Sequence, residues 1–322
     1  NTLSSDGTAS LTSYEPDPTG SRVAYSVAVG GSDWNKIFIL YVAEARPLDD
    51  CLEWVKFSGI SWRKDGTGFY YSRYDAPQPG QDLKETNYYQ KVFFHAIGDP
   101  QDADRLVHHD PENKEHGLGA QVTDDGRYLI IQVWRGSASE NGVQYLDLQD
   151  SSAAVQTLTM TFDAAYNFVG NVGERFFFHT DLNAPRGCLI AVDLNSPAPE
   201  TWQEIIPQSD DVLRMVAFTG GIFFANYLHD AHSRILRFSA QGVLLGALEL
   251  PGLGTINASQ TGESFGGGAQ AACTFYQFTS FLAPPTIYRY HLKSGSSEVF
   301  RQPVLPFDPE TYEVRQVFYT SK

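Results

Sequence analysis

Five short stretches of the chain share one layout: a polar turn carrying a glycine, then a strand of β-branched and aromatic residues. They are DPTGSRVAYSV from Asp17, RKDGTGFYYSR from Arg63, TDDGRYLIIQV from Thr123, GNVGERFFFHT from Gly170 and AFTGGIFFANY from Ala217. The turn glycines Gly20, Gly66, Gly126, Gly173 and Gly220 are separated by 46, 60, 47 and 47 residues. A sixth, degenerate copy, QTGESFGGGAQAACTFYQFTSF, places its strand near residues 274–281. Glycine recurs at the turn because a tight hairpin often needs positive φ, which costs glycine almost nothing.

A further strand and polar turn follow each copy, as in NKIFILYVAEA, QKVFFHAIGDP and GVQYLDLQDSS. Each unit therefore offers about four strands in roughly 40 to 60 residues, the period of a β-propeller blade. The fold class is all-β. The 21 Phe, 17 Tyr, 28 Gly and 17 Pro suit many short strands joined by turns. No amphipathic stretch of helical period and length stands out. A β-sandwich is the structural alternative, but it does not call for six similar units at near-constant spacing. The units run from near Ala9 to near Val304, and no linker rich in Pro, Gly and Ser divides them, so residues 1–311 read as one propeller domain.

The charge excludes some partners. With 23 Lys+Arg against 38 Asp+Glu the net charge is −15, which repels phosphate backbones and anionic membrane surfaces. No apolar run approaches the roughly 18 residues that span a bilayer. Cys51, Cys188 and Cys273 match neither a metal spacing nor a dense disulfide framework, and read as buried free thiols in a reducing compartment. Such thiols go with an expected cytoplasmic setting. The chain opens on Asn1 with no charged-then-apolar leader, so its N-terminus reads as cut, and a periplasmic setting follows if a signal peptide has been removed.

Three motifs invite a chemical reading. GESFG, around Ser264, fits the nucleophile elbow G-x-S-x-G, which needs a buried strand before the serine and a helix after it. The flanks GTINASQT and GGGAQAAC supply neither, and His291 precedes Asp308, the reverse of the hydrolase order. A glycine-rich hairpin loop is the better reading. HHDPENKEH, from His108 to His116, gathers three histidines with carboxylates, but Pro111 and Asn113 make it a turn without rigid ligand spacing. No metal site and no cofactor are expected. GGSDWNK places Asp33 and Trp34 between two strands, either capping a hairpin and covering a blade edge or facing a partner. The aromatics Phe57, Trp62, Tyr70, Tyr71, Phe176, Phe177, Phe178, Phe223 and Phe224 read mostly as blade core.

The last stretch, YEVRQVFYTSK, alternates apolar and polar residues and predicts a strand over residues 312–322 that leads onward. Together with LSSDGT, GSDWNKI, LEWVKFSGISWRKDGTGFYYSRY, YLHDAHSRILRF and FYQFTSFLAPPTIYRYHL, it strongly resembles the prolyl oligopeptidase family of serine peptidases, in a bacterial form. The matches are collinear over essentially the whole chain.

The resemblance implies a seven-bladed propeller joined to an α/β-hydrolase domain that carries a Ser, Asp and His triad and cleaves short peptides after proline. About six blades, two to seven of the family, fall in this chain, and the hydrolase domain is the expected partner. On this reading the chain itself holds no catalytic residue. It caps the active site as a monomer, gates short proline-containing peptides and lines part of their pocket. Phe57 matches a pocket phenylalanine, and Asp33 with Trp34 matches a pair on the hydrolase-facing surface. A methionine, an arginine and a cysteine of the mammalian pattern fall here on Gly117, Trp134 and Ser137, with Arg135 a substitute cation and Trp134 able to refill space left at Gly117. The rival class is a stand-alone propeller that binds a protein or carbohydrate.

Overall fold

A computed structural model of the chain describes residues 4–82, 84–256, 264–306 and 308–320. Among them the only helices are 3-10 turns at Gln101–Ala103, Pro199–Thr201 and Pro309–Thr311. The rest is antiparallel meander. The first sheet holds β1 (Ala9–Pro16), β2 (Arg22–Val29), β3 (Asn35–Tyr41), β4 (Arg46–Trp62), β5 (Gly68–Arg73), β6 (Lys91–Ala96) and β7 (Arg105–His109). Four-stranded sheets follow: β8 (His116–Val122), β9 (Tyr128–Arg135), β10 (Asn141–Asp147) and β11 (Gln156–Thr159); then β12 (Tyr166–Val172), β13 (Arg175–Thr180), β14 (Cys188–Asp193) and β15 (Gln203–Ile206). The last two are β16 (Val212–Thr219), β17 (Ile222–His229), β18 (His232–Ser239) and β19 (Leu244–Leu248), and β20 (Thr255–Ile256), β21 (Cys273–Thr279), β22 (Thr286–His291) and β23 (Ser296–Arg301).

The first sheet is two blades sharing a strand. From Arg46 to Val55, β4 pairs with β3; Val55 also meets Arg73 of β5, and from Ile60 on the strand pairs with β5 alone. The crossover is a bend in which Trp54 and Phe57 take φ of +61° and +53°. So β4 is the last strand of one blade and the first of the next, and six blade-like units are present, as the repeat predicts. The long 60-residue spacing also has a cause: the connection between β5 and β6 spans residues 74–90. All five turn glycines have positive φ, between 58° and 73°.

Two compact units are distinct, Asn1–Tyr166 and Asn167–Lys322. In the first, β5 is apolar on both sides because both are covered. Phe69 and Tyr71 pack with Ile37, Leu52 and Trp62, while Tyr70 packs with Leu118, Leu129 and Ile131. The second unit repeats this at β17, where Phe223 and Ala225 join Phe177 and Leu189, and Phe224 faces Tyr276 and Tyr290.

A polar pin crosses the first unit. His95 of β6, fully buried, bonds Asp50 of β4 at 2.9 Å through Nε2 and Asp104 at 2.7 Å through Nδ1. The Tyr71 hydroxyl donates to Asp104 at 2.6 Å and the Gly98 amide to Asp50 at 2.7 Å. Burial alone would lower the His95 pKa; hydrogen bonds and charge from Asp104 and Asp50 outweigh it and raise it.

Two expectations fail. Residues 312–320 form no strand, and residues 321–322 lie outside the described residues. The alternation breaks at Val317, Phe318 and Tyr319, which are 72–88% exposed, and Gln316 donates to the Asp230 carbonyl. The cysteines are free, but only Cys188 is buried: Cys273 is half-buried and Cys51 exposed.

Candidate functional site

The predicted residues Asp33, Trp34 and Phe57 meet at the β4 bend. Trp34 leaves the β2–β3 connection with its indole N–H donating to the Asp82 carbonyl at 2.7 Å. Its ring meets Trp54 and Tyr74 edge-on, at centroid distances of 5.7 and 6.1 Å. Lys56 threads this group. Its ammonium lies 5.3 Å from the Trp34 ring and 5.2 Å from the Phe57 ring, bonds Asn87 at 3.2 Å and pairs with Asp33 at 3.5 Å. Phe57 is 57% exposed, so this ring is not blade core, unlike Trp62, Tyr70 and Tyr71. A phenylalanine held in the left-handed region at the surface is strained, and such strain persists where the surroundings fix it.

What fixes it is Gln90, 1% exposed. Its amide nitrogen donates to the Lys56 carbonyl at 2.7 Å and reaches the Phe57 carbonyl at 3.4 Å, while its oxygen accepts the Leu118 amide at 2.7 Å. Ser72, also buried, accepts nothing from β8 but donates to the Leu118 carbonyl at 2.6 Å, and its own amide donates to Ser58 at 2.7 Å. The bend is thus tied to the start of β8, where the second group of predicted residues stands.

There Gly117 lies opposite Trp134 in the β8–β9 ladder. The indole lies flat on the glycine: a Cβ added at Gly117 would meet the ring at 2.1 Å. Arg135 does not point into open space; its guanidinium stacks on Phe162 at 4.0 Å, and Phe162 in turn meets the His116 ring at 5.3 Å. Ser137 is exposed in the turn that follows β9. The structure therefore brings Phe57, Asp33 and Trp34 together, and Gly117, Trp134 and Arg135 together, with Gln90 and Ser72 between. Sequence reasoning missed Trp54, Lys56, Tyr74, Gln90 and Phe162; the run EWVKF around Phe57 was the available signal.

The arrangement suits binding rather than bond cleavage. It offers exposed aromatic faces beside a cation, which can take an apolar ring and an adjacent anion. Ser264 is 4% exposed and out of reach of a substrate, while Gly262 and Glu263 of its motif lie outside the described residues. Its neighbour Phe265 is a core ring stacked on Phe224 at 4.6 Å. The His108–His116 stretch is a turn in which Asp110 accepts from the Glu112 and Asn113 amides and bonds His116 at 2.9 Å. Among the described residues no cluster of His, Cys, Asp or Glu could hold a metal ion.

Comparison with known proteins gives one answer. The profile of the prolyl oligopeptidase N-terminal β-propeller domain matches residues 1–303. The chain is 38% identical over 321 residues to the prolyl endopeptidase of Elizabethkingia meningoseptica, covering 100% of itself and 44% of that protein. A solved prolyl endopeptidase, from work on inter-domain dynamics in catalysis and specificity, superposes with a TM-score of 0.85 at 32% identity, over 95% of this chain and 43% of that one. Unliganded prolyl oligopeptidase B from Galerina marginata superposes at 0.87 with 28% identity, over 100% and 46%. The chain thus spans less than half the length of these relatives. By sequence, by fold and by the collinear order of its repeats, the chain belongs to the prolyl oligopeptidase N-terminal β-propeller family.

Proposed function

We propose that this chain is the substrate-gating part of a prolyl-specific serine oligopeptidase, whose triad lies in an α/β-hydrolase domain of the same polypeptide. The observation that carries the reading is the match over residues 1–303 to a domain found in prolyl endopeptidases. The exposed Phe57 ring, with Lys56 and Trp34 beside it, lines the peptide pocket from the propeller side and receives an apolar side chain. Asp33 and Trp34 face the hydrolase. Trp134, lying over Gly117, sets the width of the pocket at its neighbouring wall.

Two measurements test this. In the full-length protein, Phe57→Ala lowers kcat/KM for a chromogenic proline peptide at least tenfold. It shifts stability by less than about 0.5 kcal/mol, as expected of an exposed position. An unchanged kcat/KM would remove Phe57 from the pocket. The pure chain alone hydrolyses nothing; cleavage abolished by Ser264→Ala would sink that statement.

A further inference from the structure

The connection between β5 and β6, residues 74–90, ends on side chains that hold the bend of β4. Asn87 accepts the Lys56 ammonium at 3.2 Å, and the Gln90 amide donates to the Lys56 carbonyl at 2.7 Å and the Phe57 carbonyl at 3.4 Å. Between them Tyr89 is itself left-handed, with φ of +57°, and its amide donates to the Lys114 carbonyl at 2.8 Å. Trp54, Phe57 and Tyr89 thus all hold a conformation that bulky side chains rarely adopt. Such strain gathers at functional sites and persists only where the surroundings over-determine it.

At Phe57 the over-determining group is Gln90. The carbonyls of Lys56 and Phe57 belong to the two peptide planes that meet at the Phe57 Cα. Their relative orientation is what φ and ψ of Phe57 describe, so one amide that holds both fixes φ at +53°, and with it the direction of the ring. The other end of Gln90 accepts the Leu118 amide at 2.7 Å. A carboxylate in its place could only accept and an ammonium could only donate, whereas a planar amide does both at once. The anchor is firm. Leu118 is buried in the core with Tyr70, Leu129 and Ile131, and its carbonyl takes the Ser72 hydroxyl at 2.6 Å. The Ser72 amide also reaches the bend, at Ser58, but it does not touch the two carbonyls that flank Phe57.

We infer that Gln90 is a positioning residue for substrate recognition: from the core, where it touches no substrate itself, it holds the exposed Phe57 ring in the attitude that receives an apolar side chain. Without it Phe57 relaxes toward ordinary negative φ, and the ring swings away from the Lys56 ammonium that now lies 5.2 Å from it. The inference rests on the reading of Phe57 as a pocket residue of a prolyl peptidase.

Steady-state kinetics of the full-length protein with a chromogenic proline peptide test it on four proteins: unaltered, Phe57→Ala, Gln90→Met and the double variant. Gln90→Met keeps the volume and loses both ends of the tether. It should lower kcat/KM about tenfold while the Phe57 ring is present, and by less than about twofold once Phe57→Ala has removed that ring. A residue that serves folding alone costs the same factor in both backgrounds, so equal losses would overturn the inference. An unchanged kcat/KM in Gln90→Met would overturn it too. Should Gln90→Met not fold, Gln90→Asn is read by the same comparison, since it keeps the amide but is one methylene too short to reach both the bend and Leu118. Failure of the underlying reading looks different. There the unaltered protein leaves the peptide intact, or Phe57→Ala leaves kcat/KM unchanged, and either result removes the inference with it.

Discussion

His95 shows how much one side chain can carry. Both of its ring nitrogens meet carboxylates, Asp50 and Asp104, an arrangement that favours the protonated ring, which can donate to both. Removing it leaves two buried acids facing an apolar core. His95→Leu should destabilise by about 3–5 kcal/mol, measured by denaturant unfolding. The pH dependence follows from the raised pKa. The stabilisation is complete below the ordinary histidine value of ~6.5 and fades as pH rises through the raised value. Unfolding midpoints from pH 6 to 9 should fall in the unaltered protein and flatten in His95→Leu. Gly117 gives a second residue-scale test. Gly117→Ala forces a methyl into the Trp134 ring and should cost about 1–3 kcal/mol, largely recovered in the double variant with Trp134→Ala. Neither arrangement was visible in the sequence as such. Asp50 lies 45 residues from His95, and nothing local marks the pair. The Gly117–Trp134 pairing came only from the family resemblance, since two residues of a strand ladder carry no joint signature. Gln90 was missed for the same reason, its partners lying 28 or more residues away, and of the polar partners of Lys56, Asn87 is 31 residues distant.

At the scale of elements the sequence was most readable where a turn dictates residue type. The loop DPTGS before β2 is an example. Asp17 Oδ1 accepts the Thr19 and Ser21 amides at 3.2 and 2.9 Å, and Oδ2 accepts Arg22 Nε at 2.9 Å. Burial would raise the Asp17 pKa, but Arg22, Thr19 and Ser21 hold it at about 2. Its contribution is therefore present above the unfolded carboxylate value of ~3.9 and lost as pH falls towards 2. Asp17→Asn should remove that part of the acid transition, read by unfolding between pH 5 and 2. Arg22 also donates to the Gly66 carbonyl at 2.7 Å, so the first turn grips the second, which the repeat could not reveal. The terminal stretch misled for a related reason. Alternation is necessary for a half-buried strand, but a strand also needs a ladder partner beside it, and residues 312–320 join none of the sheets.

For the whole molecule, period and composition sufficed to give an all-β propeller, because four strands per repeat leave few other ways to cover both faces of each sheet. Net charge is also a property of the whole. At −15 the folded chain repels itself, so Tm should rise as salt increases from 10 to 150 mM, as the Debye length shortens from about 30 to 8 Å. An unchanged Tm would mean that local pairs already neutralise the field. The shared strand β4 has a further consequence for how the molecule comes apart. Repeat proteins behave as chains of units that open independently, each coupled only to its neighbours. Here the first two repeats have one backbone ladder between them, so neither can open without tearing the other's hydrogen bonds. In native-state amide exchange, β2, β3, β5 and β6 should protect and release as one cooperative block, while the four later sheets exchange each with its own free energy.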